Sequence, residues 1–174
     1  IGEDSRSAFA PSQVLFAHAA IAELAHGRLR HDQRVARTGL GLAEASATTT
    51  DVRVDGWSLV LAGGRYVTKV VARDFALDLA FIAPSPVLMQ GDEGWSRKGP
   101  RDAQASYYYS RPQLGTTGTL GIGTRLYQVR GTSWLDHEWS SAYLAPEARG
   151  WDWLGLNFDD GSALMVFRIR AQDG

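Results

Sequence analysis

The heptapeptide FALDLAF, residues 75–81, decides the fold class. Phe75, Leu77, Leu79 and Phe81 stand at every second position, with Ala76, Asp78 and Ala80 between them. Side chains along a strand alternate between faces, so this spacing gathers four large apolar groups on one side of a strand. Pro84 and Pro86 close the segment, because proline has no N–H to give to a ladder. Upstream, VRVDGWSLVL and RYVTKVVA flank Ala62-Gly63-Gly64 and predict a hairpin. Downstream, VLMQG predicts a short strand and GDEGWSRKGPRDAQ a loop. Further strands are expected at ASYYYSR, TLGIGTRLYQVRG, TSWLDHEW, WDWLGLNF and ALMVFRIR, with Asp159-Asp160-Gly161 as the hairpin turn between the last two.

Toward the amino end the pattern weakens. Gln13 to Glu23 is apolar on both faces and fits a buried strand or a short helix. Gly27 to Arg37 is basic and polar with no apolar face, and Gly39 to Thr50 is small and flexible. Residues 27–50 are therefore expected as an exposed excursion from one β domain spanning 1–174. Short strands between glycine turns, without a long amphipathic helix, predict an all-β protein, a barrel or a strongly bent sheet. Gln172-Asp173-Gly174 has the composition of a turn towards a further strand.

Composition narrows the function classes. With 44% hydrophobic and 21% charged residues, wholesale disorder is excluded. The net charge of -1 argues against a nucleic-acid binder. The absence of cysteine removes disulfides, thiolate metal sites and cysteine nucleophiles, and fits an exported protein. Val14 to Ala22, interrupted by His18, falls short of the ~18 residues of a spanning helix. No signal peptide opens the sequence, and Ile1 is no initiator, so a preceding segment is expected. The basic residues are 16 Arg and two Lys, Lys69 and Lys98.

The densest chemistry is Trp134-Leu135-Asp136-His137-Glu138-Trp139. In a strand, Trp134, Asp136 and Glu138 face one side and Leu135, His137 and Trp139 the other, unless a bulge intervenes. A histidine among carboxylates and aromatic rings suits a general acid or base; the plainer reading is a structural hydrogen-bond cluster. His18, inside an apolar run, is expected to be buried with a partner for each ring nitrogen. If its strand lies beside that of His137, the two line one cavity. No metal is expected, since neither His-x-His nor His-x-x-x-His occurs, and His26 and His31 fall on the polar excursion. In SYYYS, Tyr107 and Tyr109 share a face, as do Trp151 and Trp153 in WDW. These aromatics suit a pocket for a lipid, polyene or terpenoid, or else ordinary sheet packing. Gly94-Trp95-Ser96-Arg97-Lys98 lacks the closing glycine of a nucleophile elbow. No phosphate loop or dinucleotide fingerprint is present, so no cofactor is expected.

The ordered blocks LMQGDEGWSRKG, ASYYYS, GTSWLDHEWSS and GWDWLGLNFDDGSALMVFRIR resemble the AttH-like "predicted secreted hydrolase" family, related to the carotenoid 1,2-hydratases. The likeness runs from FAHAAIAEL at Phe16 to Arg170. It implies a lipocalin-like, calycin-related fold, with a second lipocalin-like domain in the full-length protein. It also implies a bacterial protein that is periplasmic or secreted, with a role in lipid or isoprenoid metabolism; a peripheral association with the membrane is a further expectation. Against that family pattern, this sequence is expected to lack the first strands and the second domain. In the hydratase branch an acidic side chain protonates a carbon–carbon double bond and water adds to the cation. His137 and Trp139 stand at that branch's His-x-Trp positions, to polarise water and to shield a carbocation. Around Phe167-Arg168-Ile169-Arg170, where the branch places a Tyr and an Asp, no carboxylate stands, which leaves Asp136 or Glu138 as substitute.

Two functions are therefore expected. One is an enzyme of hydratase- or hydrolase-like acid/base chemistry on a lipid or isoprenoid. Its catalytic residues would be His137, Asp136, Glu138 and Tyr109, and its ligand-binding residues His18, Tyr107, Trp134, Trp139, Trp151, Trp153 and Lys98. The other is a non-catalytic carrier of hydrophobic small molecules in the bacterial envelope. A third reading, a half-domain that only packs against its partner domain, predicts no cavity.

Overall fold

A computed structural model of the chain describes residues 13–24, 27–84, 86–141 and 144–171. His26 and the Gln172-Asp173-Gly174 turn lie outside them. The strands, in chain order, begin with β1 (Val14–Glu23), β2 (Arg28–Arg37), β3 (Ala43–Ala45), β4 (Asp51–Val54), β5 (Trp57–Ala62), β6 (Arg65–Val71) and β7 (Phe75–Ile82). They continue with β8 (Leu88–Met89), β9 (Trp95–Arg97), β10 (Ala105–Ile122), β11 (Arg125–Trp139), β12 (Ala148–Asn157) and β13 (Ala163–Ala171). The architecture is all-β, with antiparallel hairpins throughout. The chain divides into two compact units, Ile1–Ile82 with Thr116–Arg130, and Ala83–Gly115 with Gly131–Gly174.

In the first unit β3 to β7 form a meander, continued beside β7 by β10 and then β11. Gly118 of β10 permits the close approach to β7, because a Cβ there would collide with the Asp78 carbonyl oxygen. The core holds Trp57, Val70 and Phe75, with Ala17, Ala19, Ile21, Ala72 and Leu77 packed against it. Each large side chain so buried contributes roughly 2 kcal/mol. The Trp57 indole N–H donates to the Val71 carbonyl at 2.9 Å, so its polar atom is not stranded.

Two expectations fail in this unit. Arg28–Arg37, expected as an excursion, is β2, paired residue for residue with β1 from Val14↔Arg37 to Glu23↔Arg28. Its more sheltered side carries ion pairs instead of apolar groups: Arg30 with Asp74 at 3.1 Å and Glu23 at 3.6 Å, and Arg34 with Asp32 at 3.1 Å. The Arg34 guanidinium also sits 4.7 Å above the Trp57 ring. The backbone N–H of Gln33, with that of Arg73 and the Arg34 charge, holds the Asp32 carboxyl below its ordinary range. His18 is the second correction. The odd positions of β1 meet the core and the even ones are exposed, so His18 is exposed opposite Gln33. Its strand pairs with β2, not with that of His137.

In the second unit β8 and β9 pair successive stretches of β10 (Tyr109↔Met89, Tyr107↔Trp95), so the expected loop contains a short strand. β12 and β13 form a hairpin closed by Phe158 N–H to Ser162 C=O at 2.9 Å. Gln113 of β10 grips that hairpin from a left-handed backbone conformation, φ 56°. Its amide N–H donates to Asn157 Oδ1, and its side-chain Nε2 to the carbonyls of Phe158 and Ser162, each at 2.8 Å. TLGIGTRLYQVRG is not one strand: β10 ends at Ile122, and TSWLDHEW continues β11.

Candidate functional site

The half of β11 that belongs to the second unit carries its residues strictly by parity. Asp136 and Glu138 point to the side on which β10 places Ser106 and Ser110. His137 points to the side of Tyr109. No bulge brings the histidine and the carboxylates together.

On the carboxylate side Ser106 Oγ donates to Glu138 Oε1 at 2.5 Å, and Lys98 Nζ meets the same oxygen at 2.8 Å. The Lys98 side chain is 2% exposed and that of Glu138 26%. Lys98 Nζ also donates to Ser96 Oγ at 3.0 Å and lies over the rings of Phe167 at 3.9 Å and Tyr108 at 4.9 Å. The turn that delivers Lys98 is fixed by its own N–H bonding to the Gln104 carbonyl at 2.7 Å. A buried ammonium needs such partners, since desolvating it alone costs several kcal/mol.

Beside this pair, Asp136 Oδ1 accepts from Ser110 Oγ at 2.5 Å and from the Trp134 indole at 2.7 Å, while Gln90 Nε2 donates to Ser110 Oγ at 2.9 Å. The Tyr108 hydroxyl accepts the Trp153 indole N–H at 2.9 Å. Burial first, then the charge and hydrogen bond of Asp136, push the Tyr108 phenol up to about 12 against the lowering effect of Trp153. Trp134 meets Trp153 edge to face at 6.0 Å. Gly155 lies beneath both rings, and a Cβ there would stand 2.6 Å from Trp153 Cη2.

These groups bound a cavity of about 270 Å³. Trp151, Trp153, Phe167 and Leu144 supply its apolar walls, and Lys98, Glu138 and Tyr108 its polar groups. The other side of the sheet is an exposed aromatic row. Tyr107 stacks on Trp139 at 5.4 Å, Trp95 meets Tyr107 edge-on at 5.1 Å, and His137 lies 5.0 Å from Trp139. His137 Nδ1 shares a 2.9 Å hydrogen bond with the Tyr109 hydroxyl.

The structure thus gathers Lys98, Glu138, Trp151 and Trp153 at the cavity, with Asp136 and Trp134 joined to its wall through Tyr108 and Trp153. His137, Tyr109, Tyr107 and Trp139 are on the opposite side of the sheet, and His18 is in the first unit. Sequence reasoning missed Tyr108, Phe167 and Leu144. Tyr108 was within reach, because parity with Ser106 and Ser110 sets it apart from its two tyrosine neighbours. Among the described residues, no three His, Asp or Glu side chains gather as metal ligands.

The AttH-like family pattern matches residues 1–174. The chain belongs to the AttH-like family. It is similar to the crystal structure of an AttH protein from Nitrosomonas europaea, with 49% identity and a TM-score of 0.88, over 96% of this chain and 52% of that one. It also shares the fold of kievitone hydratase from Nectria haematococca, with 14% identity and a TM-score of 0.67, over 91% of this chain and 52% of that one. The chain therefore spans about half the length of the solved relatives it matches. No functionally curated protein matched the sequence. The expected antiparallel, lipocalin-like fold is the fold of this AttH-like chain.

Proposed function

We propose that this AttH-like chain carries part of the active site of an enzyme performing hydratase- or hydrolase-like acid/base chemistry on a hydrophobic small molecule. The observation that carries the reading is the Lys98–Glu138 pair, 2.8 Å apart, in the wall of an otherwise aromatic and aliphatic cavity. A pocket built for affinity alone gains nothing from an ion pair whose desolvation offsets its attraction. A pocket for proton transfer needs a donor and an acceptor within hydrogen-bond reach of the reacting atoms. Here Glu138 is the base that draws a proton from water or substrate, and Lys98 is the cation that stabilises developing negative charge. Trp151, Trp153 and Phe167 hold the apolar body. The likeness in fold to a hydratase supports the chemistry, and the apolar walls support a lipid or isoprenoid substrate.

The test is native mass spectrometry with extraction of bound small molecules from the longest natural form of the protein, wild type beside Glu138→Gln and His137→Ala. The reading expects wild type and His137→Ala to carry a product, and Glu138→Gln the unconverted precursor. The same ligand, chemically unchanged, on all three proteins would instead establish a carrier.

A further inference from the structure

The cation in the cavity wall is a lysine in a chain that otherwise uses arginine. Sixteen of its 18 basic residues are Arg. The other lysine, Lys69, forms a surface pair with Asp78 at 3.5 Å, its side chain 64% exposed. A buried pair with a carboxylate favours Arg, whose planar fork binds both oxygens and whose charge is more weakly hydrated. Lysine offers what Arg cannot, an amine that releases its proton and then attacks carbon. The surroundings of Lys98 supply what that chemistry needs. Glu138 Oε1 at 2.8 Å can take the proton, and Ser96 Oγ at 3.0 Å can hold the hydroxyl formed on the carbon next to the nitrogen. The faces of Phe167 and Tyr108 flank Nζ in a cavity walled by two indoles.

We propose that Lys98 is a carbonyl-trapping amine: the cavity admits a hydrophobic aldehyde or ketone, and Lys98 condenses with it to a protonated imine. The inference rests on the reading that this cavity is the substrate site, and it names the substrate class. Glu138 removes one proton from the ammonium. The freed nitrogen pair adds to the carbonyl carbon, and the C=O π pair becomes an oxyanion, which takes a proton from the attached N⁺H2 to give a neutral carbinolamine with its nitrogen pair restored. The nitrogen pair then expels the hydroxyl, which leaves as water with the proton from Glu138. One carbonyl compound and one ammonium give one iminium and one water, so charge and atoms balance and no oxidant is needed. The Glu138 carboxylate remains as counter-ion to the iminium, in the place where it neutralised the ammonium.

Cinnamaldehyde, a flat apolar aldehyde, is the probe, with sodium borohydride to reduce the imine to a stable secondary amine. Intact-mass and peptide mapping read the site, and circular dichroism confirms that each variant is folded. The expected result is one adduct on Lys98 ahead of the exposed Lys69, lost in Lys98→Arg and about a hundredfold slower in Glu138→Gln. Adducts on Lys69 alone, or a Lys98 adduct whose rate ignores Glu138→Gln, would overturn the proposal. Cinnamyl alcohol, which cannot form an imine, separates the two failures by its quenching of tryptophan fluorescence in wild type but not in Trp153→Leu. If the alcohol binds and the aldehyde is not trapped, the imine is refuted and the substrate cavity stands. If neither binds, both fall.

Discussion

Removing the two ends of the Lys98–Glu138 pair should have unequal costs. At 2.8 Å and an effective dielectric of about 20, the charges attract by roughly 6 kcal/mol, most of which is offset by desolvation. The offset is not shared evenly, because the Lys98 side chain is 2% exposed and that of Glu138 26%. Glu138→Ala leaves an ammonium out of water with only Ser96 and two ring faces for company. The expected loss is about 3 kcal/mol, the lower end for a broken buried pair. Lys98→Met leaves a carboxylate that water can reach and Ser106 still bonds, and refills the space with an apolar chain. That loss should be about 1 kcal/mol. The double variant Lys98→Met/Glu138→Leu removes both charges and should be more stable than Glu138→Ala alone. Urea unfolding at pH 7 followed by tryptophan fluorescence separates the three, with the Glu138→Ala midpoint lower by roughly 1–2 M. The reasoning is refuted if Lys98→Met is the costlier single change, or if the double variant loses the sum of the two.

Three further outcomes are expected. Gly155→Ala places a methyl 2.6 Å from Trp153 Cη2, so the indole must move; melting should show a loss of about 1–3 kcal/mol and the near-ultraviolet dichroism should change, while an unaltered melt would refute the contact. Burial raises the Tyr108 phenol to about 12, so it holds its proton in the folded chain after the unfolded chain has lost it near pH 10. Its contribution to stability is complete below about pH 10 and lost as pH rises towards 12; Tyr108→Phe should flatten the stability profile in that window, and an unchanged profile would count against it. Gln113→Ala removes two side-chain bonds to the β12–β13 turn, at about 1 kcal/mol, and hydrogen exchange should quicken at Phe158 and Gly161 before it changes in β5 or β6.

The strands were legible where the alternation separates apolar from polar side chains. FALDLAF shows this, and so does the hairpin around Asp159-Asp160-Gly161. β2 was not, because Arg30, Asp32 and Arg34 occupy its sheltered positions while Leu29 and Val35 face out. Arg30 pairs with Asp74, 44 residues on, and no local pattern announces a partner that distant. ASYYYSR covers only the first part of β10, which runs on through Pro112 and Gly115 to Ile122, with Gly118 serving close packing against β7. At the site, parity within WLDHEW correctly separated His137 from Asp136 and Glu138. It did not say which side encloses a cavity. That depends on Phe167 and Trp153, brought over Lys98 and Tyr108 by a hairpin some sixty residues later in the chain.

The two-sidedness of β11 bears on which genetic changes the protein tolerates. Carboxylates and imidazole are interleaved one by one, so loss of a single codon before Asp136 would exchange the sides of every residue up to the repaired register. The acid groups would be turned to the exposed aromatic row and His137 and Trp139 to the cavity, a larger change than any one substitution. Loss of two neighbouring codons keeps each residue on its own side and only slides it along the strand. Length variation among functional descendants of this strand should therefore come in pairs of residues, and solitary insertions should survive only where a bulge absorbs them.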